Sequence, residues 1–228
     1  YSLTKINYPS KKSTLLLPDK IAVNGFLADK TIKQGINKTI ENKLIQVEAL
    51  RFFHLKKNKK VLNRRVSSNK TKNVLLIGDI DIENTKSLLN SINPNEKRLR
   101  KYNLSFRGHP GALLVSFAKS SGFKISNENN IYDALKNNDI IIVSGSSSVA
   151  LESIVLNKPT VVFLNNKQLN LSPASEIKGI QFAQNSNDLI ELIISCKYKK
   201  PNSMNNLFWL DKKLNKWNRN LEKLINAN

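Results

Sequence analysis

Ser144-Gly145-Ser146-Ser147-Ser148 decides how this sequence folds, because the run separates an apolar strand from a helix. Before it, Asp139-Ile-Ile-Ile-Val143 is a short apolar run, typical of a strand buried on both faces. After it, Val149-Ala-Leu-Glu-Ser-Ile-Val-Leu156 has helical character. A strand that ends in small hydroxyl residues and leads straight into a helix exposes backbone N–H groups and the positive helix end. We call residues 144–148 the serine corner and expect it to bind phosphate.

A second polar corner follows another strand candidate. Arg107-Gly108-His109-Pro110, the histidine corner, lies between the predicted strand Tyr102–Phe106 and the predicted helix Ala112–Ser121. In a parallel α/β sheet, ligands bind outside the carboxyl ends of the strands. The two corners should therefore face one pocket.

The rest of the chain continues this alternation of strand and helix. The predicted strands are 73–78, 102–106, 123–126, 139–143, 159–164 and 179–183, and the predicted helices are 83–92, 112–121, 131–136, 147–156 and 187–195. Such an order predicts an α/β fold with a doubly wound parallel sheet and right-handed crossovers. Upstream, we expect a short strand within 15–25, a helix at 26–34 and a strand at 43–48. A final amphipathic helix is predicted at 205–226, with leucines and Trp217 as its packing surface.

These elements suggest four segments. Residues 1–55 would end a preceding α/β domain and cross over, 56–72 would be a basic linker, 73–200 would form the Rossmann-like domain, and 201–228 would carry the last helix. The chain opens on Tyr1 within ordinary sequence, so we expect a piece of a longer protein.

Charge leaves several partners open. Lys and Arg number 37 against 17 acidic residues, for a net charge of +20. The segment 56–72 contains basic residues and no acid; it is interpreted as a solvated linker, with anionic lipid headgroups, an acidic glycan or nucleic acid as the alternatives. Because it has no aromatic residue to stack on bases, nucleic acid is the least favoured. The single Cys196 excludes an internal disulfide and a cysteine metal cluster, and we expect a buried thiol.

No apolar run reaches the length that a membrane span needs, and no signal-peptide pattern is present. We therefore expect a soluble cytoplasmic protein. Peripheral contact with the inner face of the membrane is compatible with its basic charge.

Several side chains could serve a nucleotide ligand. The His109 imidazole can donate a hydrogen bond to phosphate, or offset its charge when protonated; Arg107 can add a bidentate contact. Glu152 follows Ser148 by one helical turn and could accept hydrogen bonds from ribose hydroxyls. A turn histidine, a surface arginine and a helix-surface glutamate are the alternatives. The predicted nucleotide-binding residues are Gly78, Asp79, Arg107, Gly108, His109, Pro110, Ser144, Ser146, Ser147, Ser148 and Glu152, and His109 is the predicted catalytic residue.

Two other chemistries are disfavoured. Asp79-Ile80-Asp81 has the spacing of an Asp-x-Asp metal motif, but Asp81 also suits the N-cap of the next helix, so no metal and no other cofactor is predicted. A serine hydrolase would need a Gly-x-Ser-x-Gly turn, which the serine corner lacks.

With these motifs the chain resembles the carboxyl-terminal half of bacterial surface-carbohydrate glycosyltransferases of the two-Rossmann-domain (GT-B) type. His109-Pro110 and Ser147-Ser148 look like the His-Pro and Ser-Ser motifs of bacterial sialyltransferases and capsule Kdo transferases, whose donors are CMP-sugars. Residues 18–25 and 47–51 look like the end of an amino-terminal domain and its crossover. The resemblance covers roughly residues 15–200.

The resemblance implies that His109 and Ser147 or Ser148 bind the donor phosphate, that Glu152 binds ribose, and that a glycan or glycolipid is the acceptor. It also implies a general base in the amino-terminal domain, upstream of Tyr1, so the fragment alone is expected to be inactive. Teichoic-acid-type glycerol- and ribitol-phosphate transferases, which use CDP-linked donors, have comparable corners and are the nearest alternative. A non-catalytic basic module that binds nucleic acid or an anionic membrane is the alternative from another class.

Overall fold

A computed structural model describes residues 18–35, 38–56, 71–112, 114–165, 169–177, 179–195 and 207–226. The chain divides into two compact units. One contains the described residues up to 56 together with those from 207 onward, and the other contains those from 71 to 195. Residues 57–70 of the predicted linker and Cys196 lie outside the described residues.

In chain order the elements are β1 (Ile21–Val23), α1 (Phe26–Gly35), α2 (Lys38–Glu41), β2 (Leu44–Gln46), a 3₁₀ helix (Leu50–Leu55), β3 (Lys72–Ile77), α3 (Ile82–Asn90), a second 3₁₀ helix (Lys97–Leu99), β4 (Tyr102–Arg107), α4 (Val115–Ser120), β5 (Lys124–Ile125), α5 (Ile131–Asn137), β6 (Ile140–Ser144), α6 (Val149–Val155), β7 (Thr160–Phe163), β8 (Gln181–Ala183), α7 (Ser186–Ser195) and α8 (Asn215–Ile225).

The larger unit is built on a six-stranded parallel sheet in the order β5-β4-β3-β6-β7-β8. Numbered from β3, this is 3-2-1-4-5-6, the strand order of Rossmann-type folds, and the order reverses between β3 and β6. The predicted α/β class with a doubly wound parallel sheet is confirmed.

Both faces of this sheet are buried, which explains why its central strands are continuous apolar runs. On one face, Val74, Leu76, Phe106 and Ile142 pack with side chains of α3, α4 and α7 in a single core. Alternation along the strands turns Leu75, Ile77, Ile141 and Val143 to the opposite face. There α5 and α6 bury their own apolar side chains, of which Ala134, Leu135, Ala150 and Ile154 are at most 1% exposed.

The smaller unit pairs β1 with β2 in parallel, with Ile21 opposite Leu44. Glu48, only 1% exposed, lies just beyond β2 and caps α8. Its two carboxylate oxygens accept hydrogen bonds from the Lys216 and Trp217 N–H groups at 2.8 and 3.0 Å, and the Trp217 indole donates to the Glu48 carbonyl. A buried carboxylate that binds the free N–H groups of a helix start compensates both for its own desolvation and for theirs.

The predicted final helix at 205–226 is wrong over the described residues 207–214. In the described residues α8 begins at Asn215, and the backbone of Trp209 instead pairs with Asn24 and Ala49. Leu214, at φ 55°, adopts a left-handed conformation that breaks the helical path. The predicted packing surface is confirmed at Leu207, which is buried, but not along α8, which has no buried residue and leaves Leu221 and Leu224 more than 40% exposed.

Other boundaries differ by a few residues. The helix predicted from Ala112 begins only at Val115, because residues 109–112 form a tight bridge, and the strand expected within 15–25 is limited to β1 among the described residues. No described helix combines the length and the apolar character that crossing a bilayer requires.

Candidate functional site

Three polar corners lie side by side at the carboxyl edge of the sheet. Ile77 is in register with Arg107 on one side and with Val143 on the other, so β4, β3 and β6 end at the same level. The histidine corner follows β4 and the serine corner follows β6. Between them lies the aspartate corner, residues 78–81, which follows β3. This is the point of reversed strand order, where ligands bind in open α/β sheets.

The Asp79 side chain connects the aspartate corner to the serine corner. Its carboxylate oxygen Oδ2 accepts hydrogen bonds from the Ser146 backbone N–H, at 3.2 Å, and from the Ser146 hydroxyl. The other oxygen accepts the Asp81 N–H at 3.4 Å. Asp79 is only 3% exposed, so its charge is compensated by these donors rather than by water. Gly78 and Asp79 are among the predicted nucleotide-binding residues, and the contact of the Asp79 carboxylate with Ser146 was missed.

Thr85 of α3 fixes the backbone of the aspartate corner. Its hydroxyl accepts the Asp79 N–H at 2.8 Å and lies 3.2 and 3.1 Å from the Asp79 and Asp81 carbonyls, to which it can donate. A Cβ on Gly78 would lie 3.0 Å from the Thr85 methyl and 3.3 Å from the Phe106 ring. A glycine is needed at position 78 because the helix and the neighbouring strand approach the backbone so closely.

The histidine corner folds into a tight turn that fixes the imidazole. The Ala112 N–H donates to the His109 carbonyl at 2.9 Å, and the Gly111 N–H donates to His109 Nδ1 at 3.0 Å. A nitrogen that accepts a backbone N–H is unprotonated, so the neutral ring carries its proton on Nε2. His109 is part-exposed and can use that N–H as a donor. A Cβ built on Gly111 would lie 4.0 Å from Ile80, which brings this corner against the aspartate corner.

The Arg107 side chain makes its hydrogen bond away from the carboxyl edge of the sheet. Its guanidinium donates to the Glu128 carbonyl at 2.8 Å, in the loop before α5. The pKa of Glu128 is below its usual value, mainly because the Ser126 hydroxyl donates to its carboxylate, and the Arg107 charge adds a smaller contribution. The geometry gives Arg107 a role in fixing this loop, and phosphate binding by Arg107 stays a prediction.

The serine corner is a turn that ends one residue before α6. Ser144 is buried, and its carbonyl accepts the Ser147 N–H at 3.0 Å. Ser148 is the N-cap of α6, and its side chain makes no capping bond. Ser147 and Ser148 are part-exposed, so their hydroxyls can meet a ligand. Ser146 already donates both its N–H and its hydroxyl to Asp79.

Glu152 lies in α6, four residues after Ser148, and is 2% exposed. This burial contradicts the alternative of a solvated helix-surface charge.

Asp81 is the N-cap of α3, and its carboxylate accepts the Glu83 and Asn84 N–H groups. No three His, Cys, Asp or Glu side chains in the described part of the chain are arranged to hold a metal ion.

A polar groove of about 550 Å³ adjoins the same edge on the α3 side, lined by Glu83, Lys86, Ser87, Asn90, Ser91, Phe163, Asn165, Asn185 and Ser186. A Cβ on Gly145 would lie 3.5 Å from the Phe163 carbonyl, so the serine corner borders the strand end at the base of this groove. Of the predicted residues, His109, Ser147 and Ser148 are part-exposed on the edge beside it, whereas Asp79, Ser144 and Glu152 are buried. A ligand held there would stay partly in water, where hydrogen bonds are individually weak.

The solved structures that are similar to this chain include TarM and KpsC. TarM aligns over 91% of this chain and 43% of its own, at 12% identity and a TM-score of 0.43. Thermosulfurimonas dismutans KpsC, a beta Kdo 2,7 transferase, aligns over 89% of this chain and 66% of its own, at 14% identity and a TM-score of 0.37. This chain thus spans less than two thirds of either protein. No family model and no curated protein matches the sequence. At these identities and TM-scores the similarities carry no argument about activity.

Proposed function

We propose that this chain is part of a glycosyltransferase that moves a sugar from a nucleotide donor, a CMP-sugar, to a surface glycan or glycolipid. The single observation that carries the proposal is the juxtaposition of the histidine, aspartate and serine corners at the point of reversed strand order. Their hydroxyls and neutral imidazole are hydrogen-bond donors suited to a phosphate. The His-Pro and Ser-Ser motifs agree with this activity.

In the proposed reaction an acceptor hydroxyl attacks the anomeric carbon of the donor sugar. The bond between that carbon and the phosphate oxygen breaks, and negative charge develops on the departing nucleotide. Hydrogen bonds from His109 Nε2–H and from the Ser147 and Ser148 hydroxyls would stabilise this charge, and preorganised donors of this kind often contribute about 100-fold or more in rate. Glu152 would bind the ribose. A general base from outside this chain would accept the proton of the acceptor hydroxyl.

The other predicted residues would shape the site. Gly78, Gly108 and Pro110 set the backbone of two corners, and Ser144 ends β6. Arg107 would act through the Glu128 loop. No metal takes part in this proposal. The protein would work in the cytoplasm, where contact with the inner membrane face would bring it to a lipid-linked acceptor.

Thermal unfolding in the presence of ligands tests this function. A ligand that binds only the folded state stabilises it by about 2.7 kcal/mol at 100 times its dissociation constant. Because the edge is open, CMP should be titrated into the millimolar range. We expect CMP to raise the melting temperature and duplex DNA to leave it unchanged. The double variant S147A/S148A should lose the CMP shift, whereas S120A, on the exposed surface of α4, should keep it.

Other outcomes identify the alternatives. Stabilisation by CDP-linked polyols without any effect of CMP would favour the polyol phosphotransferase. Salt-sensitive retention of duplex DNA or anionic vesicles with no nucleotide effect would favour a basic binding module, since charge neutralisation makes such binding strongly salt-dependent.

A further inference from the structure

A buried carboxylate, that of Asp79, lies between the two proposed phosphate-binding corners. Asp79 follows β3, which lies between β4 and β6, so it separates the histidine corner from the serine corner. Its Oδ2 atom is 3.2 Å from the Ser146 nitrogen, one residue before Ser147. Consecutive Cα atoms are about 3.8 Å apart, so the Ser147 backbone nitrogen lies within about 7 Å of this carboxylate oxygen, and a phosphate on the Ser147 hydroxyl would lie about 7–10 Å from it.

The corners are locally acidic although the chain is basic overall. Residues 78–81, 107–110 and 144–148 contain Asp79, Asp81 and Arg107 as their formally charged side chains. The Arg107 guanidinium donates to the Glu128 carbonyl, and His109 is neutral when Nδ1 accepts the Gly111 N–H. The donors that remain for a phosphate are therefore neutral ones, and they stand beside a fixed negative charge.

We propose that Asp79 is a specificity-determining residue that disfavours each added negative charge on the ligand phosphate. This inference rests on the proposed function and gives a physical reason for its donor class, a nucleoside monophosphate joined to the sugar through a phosphodiester, rather than a nucleoside diphosphate. For a charge about 7–10 Å from Asp79, at an effective dielectric constant of about 40, between the values of a protein surface and of water, each extra unit of charge weakens binding about four- to sevenfold. The second phosphate of a diphosphate lies farther away, so about fourfold is expected. Asp79 also positions the serine corner through Ser146.

The test compares CMP with CDP by calorimetric titration at low salt and pH 7.5, where CDP carries about one more negative charge. Asp79→Asn removes the charge but keeps an oxygen that can accept from Ser146. We expect the ratio of the CDP and CMP dissociation constants to fall about fourfold in this variant. Asp81→Asn makes the same change at an exposed carboxylate, where water screens the charge, and retains a good N-cap, so its ratio should fall clearly less than that of Asp79→Asn.

A purely positional role of Asp79 would change both affinities together and leave the ratio unchanged. An unchanged ratio in Asp79→Asn that still binds CMP would thus overturn the charge selection alone. Inorganic phosphate and pyrophosphate, followed through the amide resonances of Ser147, Ser148 and Val149, give the same comparison without a nucleoside. A shifted ratio there without nucleotide binding would retain the charge selection and reject the nucleotide donor. No response to any of these four anions would reject both.

Discussion

Replacing Thr85 by Val tests whether the buried hydroxyl on α3 holds the aspartate corner. The side chain is 0% exposed, and valine has nearly the same shape, so no cavity forms. The Asp79 N–H loses its acceptor at 2.8 Å, and one hydrogen bond to the Asp79 or Asp81 carbonyl disappears. An unsatisfied buried N–H costs about 1–3 kcal/mol and a lost hydrogen bond about 1. The Asp81 carbonyl keeps the Thr85 N–H, so we expect a total near 2 kcal/mol.

Urea unfolding followed by circular dichroism measures this loss, which corresponds to a fall of about 4–8 °C in melting temperature. CMP affinity should fall as well, because Thr85 fixes the aspartate corner, and Asp79 in that corner holds the serine corner through Ser146. Thr85→Ser keeps the hydroxyl and should keep the CMP affinity. Ser153→Ala is a matched control, since Ser153 is equally buried and donates to the Ala150 carbonyl on α6. This variant should be less stable but should keep its affinity for CMP. A loss below about 0.5 kcal/mol in Thr85→Val would refute the reasoning.

Three further changes test other parts of the molecule. His109→Ala removes the Nε2–H donor from a part-exposed ring, so in calorimetric titration CMP affinity should fall about tenfold with little change in the free energy of unfolding; equal affinity would remove His109 from the phosphate site. Glu48→Gln replaces one of two oxygens that accept N–H groups from α8 and should cost about 1–3 kcal/mol in urea unfolding, whereas the exposed Glu222→Gln should cost almost nothing. Burial lowers the pKa of Lys158, which means that the folded state binds fewer protons than the unfolded state just below the ordinary value of 10.5. Stability should therefore rise with pH through that interval, and Lys158→Met should lack this rise.

The sheet of the larger unit could be predicted because its strands carry their signal locally. β3, β6 and β7 are buried on both faces, so each is a short apolar run between polar residues. The helices between them follow from spacing and caps, and Asp81 serves as the predicted N-cap of α3. The polar ends of these strands were found for the same reason, since each interrupts an apolar run.

The interactions that the sequence did not indicate join residues that are far apart in the chain. Asp79 and Ser146 are 67 positions apart, and nothing near either residue signals their hydrogen bonds. Glu48 and Lys216 are 168 positions apart, and a glutamate after a short strand resembles any surface charge. The error at 207–214 has the same origin. Leucine spacing favours a helix there, but backbone hydrogen bonds from Trp209 to Asn24 and Ala49 outweigh that local preference.

The distribution of charge separates nucleotide binding from any contact with polyanions. The chain carries +20 overall, yet two acidic side chains and one arginine are the charged residues of the three corners. A surface that binds duplex DNA or an anionic membrane gains affinity from each lysine or arginine that neutralises a phosphate. Binding of that kind would use basic residues away from the corners. Its salt dependence in Asp79→Asn and in His109→Ala should therefore equal that of the wild type. Nucleotide binding at the corners should respond to both substitutions, and therefore the two variants tell apart the two ways in which this basic chain can bind phosphate.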